Sequence, residues 1–272
     1  MSWCSTGVAA ASRTGVKNVI TRLNSDIEAL QASLMSLTID LPKPCDRLTG
    51  LSDAGLAARD AVLYRAAALA WHTEVLVSGC GDFCNAVESD LALALSLGDA
   101  PNPVWDAQRT FSFLLDDVVF NAMSLLDYAS ALAAEVCGVD VTRRRTWKRI
   151  AEMSRSAVDG KESPIPRQVA ELVLAKDSAW VSGLDKFRGI VIHREVRIGS
   201  AGYGIDLEPM KGIATFYLAP ELVTSIAAVL PGGDVEIRDG AVAIVRATMQ
   251  TATELVEALG AAYCPRPPQE GI

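Results

Sequence analysis

Between Pro103 and Gly138 the apolar residues Phe111, Leu115, Val118, Ala122, Leu125, Ala129, Leu132 and Val136 recur at steps of three and four. That is the period of one helical face. Pro103 suits a first helical position, Asn102 before it suits an N-cap, and Gly138 is a natural C-terminal stop. At a rise of about 1.5 Å per residue the predicted helix is about 50 Å long. A segment of that length, apolar along one side, has to bury that side against other long helices, so the chain is committed to a helical bundle.

The remaining punctuation points the same way. An amphipathic helix is predicted over 14–38, ended by Pro42 and Pro44, and Ser52 caps a second that runs to a break at Gly79 and Gly81. A third piece continues to Gly98, a shorter helix covers 141–158 before Gly160, and a last one spans 240–262. From about 166 a further helix carries Val169, Val173, Trp180, Leu184, Phe187 and Val191 on one side. Only "REVRIGSAGYGIDLEP" and "GIATFYLAP" break this texture, with short β-like runs between glycines that predict a hairpin. The expected fold is all-α, an antiparallel bundle of long helices with a small β-hairpin insertion near 194–218. Residues 1–50 would supply an N-terminal helix packed on the bundle, 51–262 the helical domain, and 263–272 a disordered tail. Aromatic residues are only 6% of the chain, as packed Ala- and Leu-rich helices require.

Several function classes are excluded. There is no run of about eighteen uncharged apolar residues, so no membrane span is expected, and the N-terminus does not read as a secretion signal. A soluble, cytoplasmic protein is the expectation. A net charge of −8 argues against a general nucleic-acid coat. Cys80 and Cys84 with His72 lack a fourth ligand for structural zinc, so the cysteines read as small buried thiols and neither metal nor cofactor is implied. No G-x-S-x-G elbow, P-loop or G-x-G-x-x-G after a strand occurs, and two histidines cannot supply the Glu-x-x-His pairs of a di-iron bundle.

The stretch with the most chemical content is "WVSGLDKFRGIVIHREV", Trp180 to Val196. On a helix, Arg188 and His193 fall on the two shoulders of the face opposite the core stripe, about 140° apart, with Ser182, Asp185 and Gly189 between them. Gly189 costs the helix about 1 kcal/mol relative to Ala and leaves bare backbone between a cation and an imidazole. A plainer arrangement is open too: Arg188 pairs with Asp185 at i−3 on a solvated face, and His193 is a surface or interface residue. A second feature is "TRRRTWKRIAEMSR", six basic residues and a tryptophan within fourteen positions. Arg143, Arg144, Arg145, Lys148 and Arg149 are predicted in the first turns of a helix, where the dipole disfavours cations by about 0.3–1 kcal/mol. That cost suggests a phosphate-bearing partner. Trp147 would either stack a base or lie in the core, and the cations would otherwise form a solvated face or pair with carboxylates.

The segment "FNAMSLLDYASAL", Phe120 to Leu132, followed on a later helix by "LDKFRGIVIHRE", resembles the HEPN superfamily of helical-bundle proteins, over about residues 105–196. In that family an Arg and a His separated by four residues meet in a cleft, commonly at a homodimer interface, and cut RNA without metal. The resemblance implies a metal-independent endoribonuclease. Arg188 would stabilise charge on the phosphate, His193 would act as general acid or base, and Asn121 would position one of them. Asp117 is a lesser candidate. Arg143, Arg144, Arg145 and Lys148 would bind substrate. The implied partners are a second copy of the chain, RNA or a nucleotide, and a regulatory protein. Two positions differ from the family pattern. Gly189 stands where active members usually carry a polar residue, and Glu195 where the antitoxin-regulated branch has a tyrosine. The first of these implies a second reading, a non-catalytic module that binds nucleotide, RNA or protein, and a bare helical scaffold is a third.

Overall fold

A computed structural model of the protein describes residues 5–42, 50–96, 103–139, 146–192, 199–207 and 210–264. In chain order these form α1 (Ser5–Asp40), α2 (Asp53–Ser89), α3 (Leu91–Ser96), α4 (Pro103–Val136), α5 (Trp147–Val158), α6 (Arg167–Lys176), a π-helical turn (Asp177–Val181) and α7 (Ser182–Ile192). The strands β1 (Ala201–Leu207) and β2 (Met210–Phe216), then α8 (Pro220–Ser225) and α9 (Ile237–Tyr263), complete the described chain. The chain is mostly helical, with one small antiparallel sheet. No helix among the described residues is long and apolar enough to cross a membrane.

Local signals set most boundaries. The Gly55 N–H donates to Ser52 Oγ at 3.1 Å, which caps α2. Gly138 and Gly160 take positive φ, +67° and +75°, after α4 and α5, as helix-ending glycines do. The predicted break at Gly79 and Gly81 does not occur; α2 runs unbroken for 37 residues. Glycine costs a helix about 1 kcal/mol. Around these two, Leu76, Val77, Cys80 and Val87 are all buried, and each buried branched aliphatic returns about 1.5–3 kcal/mol. The helix predicted from 141 starts, in its described part, at Trp147, and the helix predicted from 166 contains a π turn that periodicity did not indicate.

The chain divides into two compact units. The first comprises Met1–Asn24, Leu69–Phe120 and Gly183–Val245. In it α2 and α4 run antiparallel, with His72 opposite Asp117 and Gly79 opposite Phe111. The β1–β2 hairpin pairs in register from Ala201↔Phe216 to Leu207↔Met210. Phe216 anchors it against Phe83 of α2 and Phe111 of α4, with ring centroids 5.6 and 4.9 Å away in edge-to-face geometry. Cys84 Sγ donates to the Ala214 carbonyl at 3.1 Å, and Lys211 Nζ reaches Glu88 Oε1 at 2.9 Å. Gly183 of α7 lies close against α8: a Cβ there would run into the Ser225 carbonyl.

The second unit comprises Ser25–Ala68, Asn121–Ser182 and Arg246–Ile272. Its core includes Leu30, Leu34, Leu37, Val62, Leu125, Leu126, Leu132, Val169, Val173, Met249, Leu255 and Leu259. Here too α2 and α4 are antiparallel, Ser52 and Gly55 lying at Glu135 and Arg65 at Asn121. By contrast, α1 and α9 run parallel: Asp26 pairs with Arg246 at 3.7 Å, and Ser33 Oγ donates to Glu257 at 3.2 Å. The expectation of an antiparallel bundle holds for α2 and α4 and not for this pair, because period fixes which face is buried but carries no direction.

Candidate functional site

The stripe of α6, the π turn and α7 is buried as its period predicts at Val169, Val173, Trp180, Leu184 and Phe187, whereas Val191 is half-buried. With that stripe inward, Arg188 is placed outward and half-buried, and its Nη2 donates to Asp185 Oδ1 at 2.6 Å. The i−3 spacing makes this the nearest carboxylate on the same face. A Cβ added at Gly189 would meet nothing within 4 Å, so the backbone beside the guanidinium is open. His193 lies outside the described residues, as do Arg143, Arg144, Arg145, Glu195 and Asn102.

Asn121 belongs to the second unit and Arg188 to the first. The Asn121 side chain is buried, 5% exposed, and its Oδ1 accepts a hydrogen bond from Arg65 Nη1 at 3.1 Å. The Arg65 guanidinium carbon lies 5.6 Å from the Tyr64 ring centroid and 6.0 Å from that of Tyr128, within cation–π range of both. No sequence motif marks Arg65. The signal was present only as two tyrosines on helices whose antiparallel pairing had first to be known.

The basic segment is organised by carboxylates. Thr146, in extended conformation at φ −127°, precedes α5, and no side chain of its own caps the helix. Instead Asp127 of α4 accepts the Trp147 backbone N–H at 2.8 Å. A carboxylate at the α5 N-terminus offsets the dipole cost that cations meet there. Of the five cations read from sequence, Lys148 and Arg149 are described; both are exposed, and Arg149 pairs with Glu152 at 3.3 Å. Trp147 is buried, its Nε1 donating to Asp177 Oδ1 at 3.1 Å, so it belongs to the core and stacks no base. Asp177 Oδ2 also accepts Arg155 Nη2 at 2.8 Å. Asp177 stands on the apolar stripe between Val173 and Trp180. An acidic residue at that point was a readable sign of a buried polar junction.

In the first unit His72 Nδ1 lies 3.7 Å from Asp117 Oδ2, and the Trp71 ring meets the imidazole edge-on at 4.8 Å. Burial, with the Asp117 charge adding to it, pushes the neighbouring Asp116 carboxyl up to about 6. Burial pushes the Cys80 and Cys84 thiols up from their ordinary value. Among the described residues no three His, Cys, Asp or Glu side chains converge as a metal site.

Compared with known proteins, the chain matches no family model, no curated protein and no solved structure.

Proposed function

We propose that this chain is a HEPN-like protein directed at RNA, a metal-independent endoribonuclease in which Arg188 and His193 act together across a homodimer cleft. The observation that carries the reading is the placement of Arg188. Its guanidinium is set outward, oriented by Asp185, and stands beside the open backbone of Gly189 five residues before His193. A guanidinium so placed makes paired contacts with phosphate oxygens. Imidazole titrates near neutral pH, as transfer of a proton from a 2′-hydroxyl or to a leaving oxygen requires. Asn121, buried and bonded to Arg65, supports the helix that carries it.

The Arg188–Asp185 pair also favours a second reading, a non-catalytic module that binds nucleotide, RNA or protein. A carboxylate 2.6 Å from the guanidinium already supplies the negative charge a phosphate would bring. One experiment separates the two. Purified wild-type, His193→Ala and Asp185→Asn proteins are incubated with total tRNA and mixed RNA in EDTA, and product termini are analysed. The nuclease reading expects cleavage with cyclic-phosphate ends by wild type and none by His193→Ala. Loss of that cleavage in EDTA, or its persistence in His193→Ala, refutes it. Absence of cleavage by all three, with folded dimers in solution, leaves the binding module.

A further inference from the structure

We propose that β1 is a pairing edge between two copies of this chain, joined antiparallel about a two-fold axis at Gly204, so that two hairpins become one four-stranded sheet. The observations all lie in the first unit. The Ser200 carbonyl accepts the Tyr217 N–H at 2.8 Å. In the unbroken register that follows, the even-numbered residues of β1 therefore bond to β2, and the odd-numbered ones present N–H and C=O outward. Those outward residues are Ala201, Tyr203, Ile205 and Leu207. Among the described residues the sheet has only these two strands, and no backbone group pairs with the outer edge of β1. The edge of β2 is closed by the chain itself: Cys84 Sγ donates to the Ala214 carbonyl, and Gly212 lies against the Val87 carbonyl and Ala94. β1 carries none of the devices that keep an edge single, neither lysine nor proline nor a bulge. Instead it exposes Tyr203 by 48% and Leu207 by 74%.

The occupant follows from the residues of the strand. Outward groups pair only with outward groups, and full overlap of the seven residues places the axis at Gly204. Tyr203 then faces Ile205 of the second copy and Ala201 faces its Leu207, each pair exchanging backbone hydrogen bonds. Tyrosine against a branched aliphatic is a favourable cross-strand pair. Both pairs lie on the face of the sheet that carries the buried Ala214 and Phe216, so they extend an apolar surface already begun. Asp206, the one charged residue of β1, falls opposite Gly202 and not opposite itself, so no like charges meet. At the axis Gly204 meets Gly204 in a non-hydrogen-bonded pair, where the Cα atoms come within about 4.5 Å. A Cβ on Gly204 would meet nothing within 4 Å in its own chain, so packing within the chain does not require glycine there. A glycine inside a strand marks the close approach of another backbone. Nothing in β1 selects a foreign peptide, whereas in this register its residues complement themselves. The inference goes beyond the RNA-directed reading and uses none of its residues; it gives the homodimer of that reading a surface.

The test uses the full chain, with analytical ultracentrifugation for its self-association and a crosslink at the axis. Wild type should be a dimer. Gly204→Cys, at an open position, should form a 204–204 disulfide between copies on mild oxidation, identified by peptide mass, because a non-hydrogen-bonded pair is within disulfide range. Gly202→Cys should not, since residue 202 and its counterpart are offset by four residues, about 13 Å along the strand. Ile205→Pro removes an outward N–H and leaves the bonds to β2 in place, as an edge strand allows. Tyr203→Lys puts a charge on the edge. Each of these two should weaken dimerisation at least about tenfold while circular dichroism stays unchanged. If the proline variant fails to fold, the lysine variant and the crosslink still decide. A monomeric wild type overturns the proposal, as does crosslinking of Gly202→Cys as readily as of Gly204→Cys. A dimer that survives both edge variants also overturns it and leaves the nuclease reading standing on another interface. A 204–204 crosslinked dimer that cleaves no RNA supports this proposal and removes the nuclease. If wild type is a monomer whose β1 amides gain protection from hydrogen exchange only with another protein, the edge takes a foreign strand and the proposal falls.

Discussion

Trp147→Phe should be among the most damaging conservative changes in the second unit, and the geometry gives its size. Asp177 is nearly buried, its side chain 12% exposed, and takes one bond from Trp147 Nε1 and one from Arg155 Nη2. A hydrogen bond to a charged group contributes about 1.5–3 kcal/mol, and removing its donor leaves a buried acceptor short of a partner. Shrinking the indole inside a closed site adds about 1 kcal/mol in lost packing. The expected loss is roughly 2–4 kcal/mol, which for a chain of this size lowers Tm by about 5–15 °C. Arg155 is the internal control. Its side chain is 55% exposed, and an exposed partner of this kind contributes about 0–1 kcal/mol. Arg155→Ala should therefore cost a few degrees at most. Thermal melts of the two single variants and the double variant, followed by circular dichroism, measure both terms and their coupling through the shared carboxylate. If Arg155→Ala proves as costly as Trp147→Phe, or if the tryptophan variant melts within about 1 °C of wild type, the junction at Asp177 does not hold α5 to the π turn as argued.

Asp116 gives a pH signature. Its carboxyl, ordinarily near 3.8, is raised to about 6, chiefly by burial and then by Asp117. The folded state thus holds this proton more tightly than the unfolded chain. The associated stability is fully present below about 3.8 and is lost as pH rises through about 6. Asp116→Asn should leave Tm little changed in acid and raise it at pH above 6, flattening the profile; a parallel offset of the two profiles at all pH values contradicts the assignment. Two glycines of α7 should respond to the same substitution with opposite sign. Gly183→Ala drives a Cβ into the Ser225 carbonyl and should lower the denaturation midpoint, whereas Gly189→Ala enters open space and should raise stability by up to about 1 kcal/mol. A destabilised Gly189→Ala would show that something covers that backbone.

Where the sequence signal was local, the structure was legible in advance. Pro103 and Gly138 bracket α4, Ser52 caps α2, and the glycine-spaced run after 200 forms the hairpin, because each of these is decided by a residue and its immediate neighbours. The Arg188–Asp185 pair was legible for the same reason, being an i−3 contact on one face. Features decided by a second helix were not. Gly79 and Gly81 looked like a break because propensity speaks for the isolated segment, and burial against the rest of the unit overrides it. The parallel course of α1 and α9 leaves no trace in a hydrophobic period. Arg65 and Asn121 are 56 positions apart and met only once the helix pairing was known.

The α5 N-terminus shows how such a gap changes a functional argument. Cations in a first helical turn are unfavourable on their own, and from sequence that cost pointed to a phosphate outside the chain. The chain instead carries its own anion to that place: Asp127 accepts the Trp147 N–H at 2.8 Å, and Arg149 has Glu152 one turn on. The cost is met internally, so Lys148 and Arg149 no longer call for a ligand by themselves.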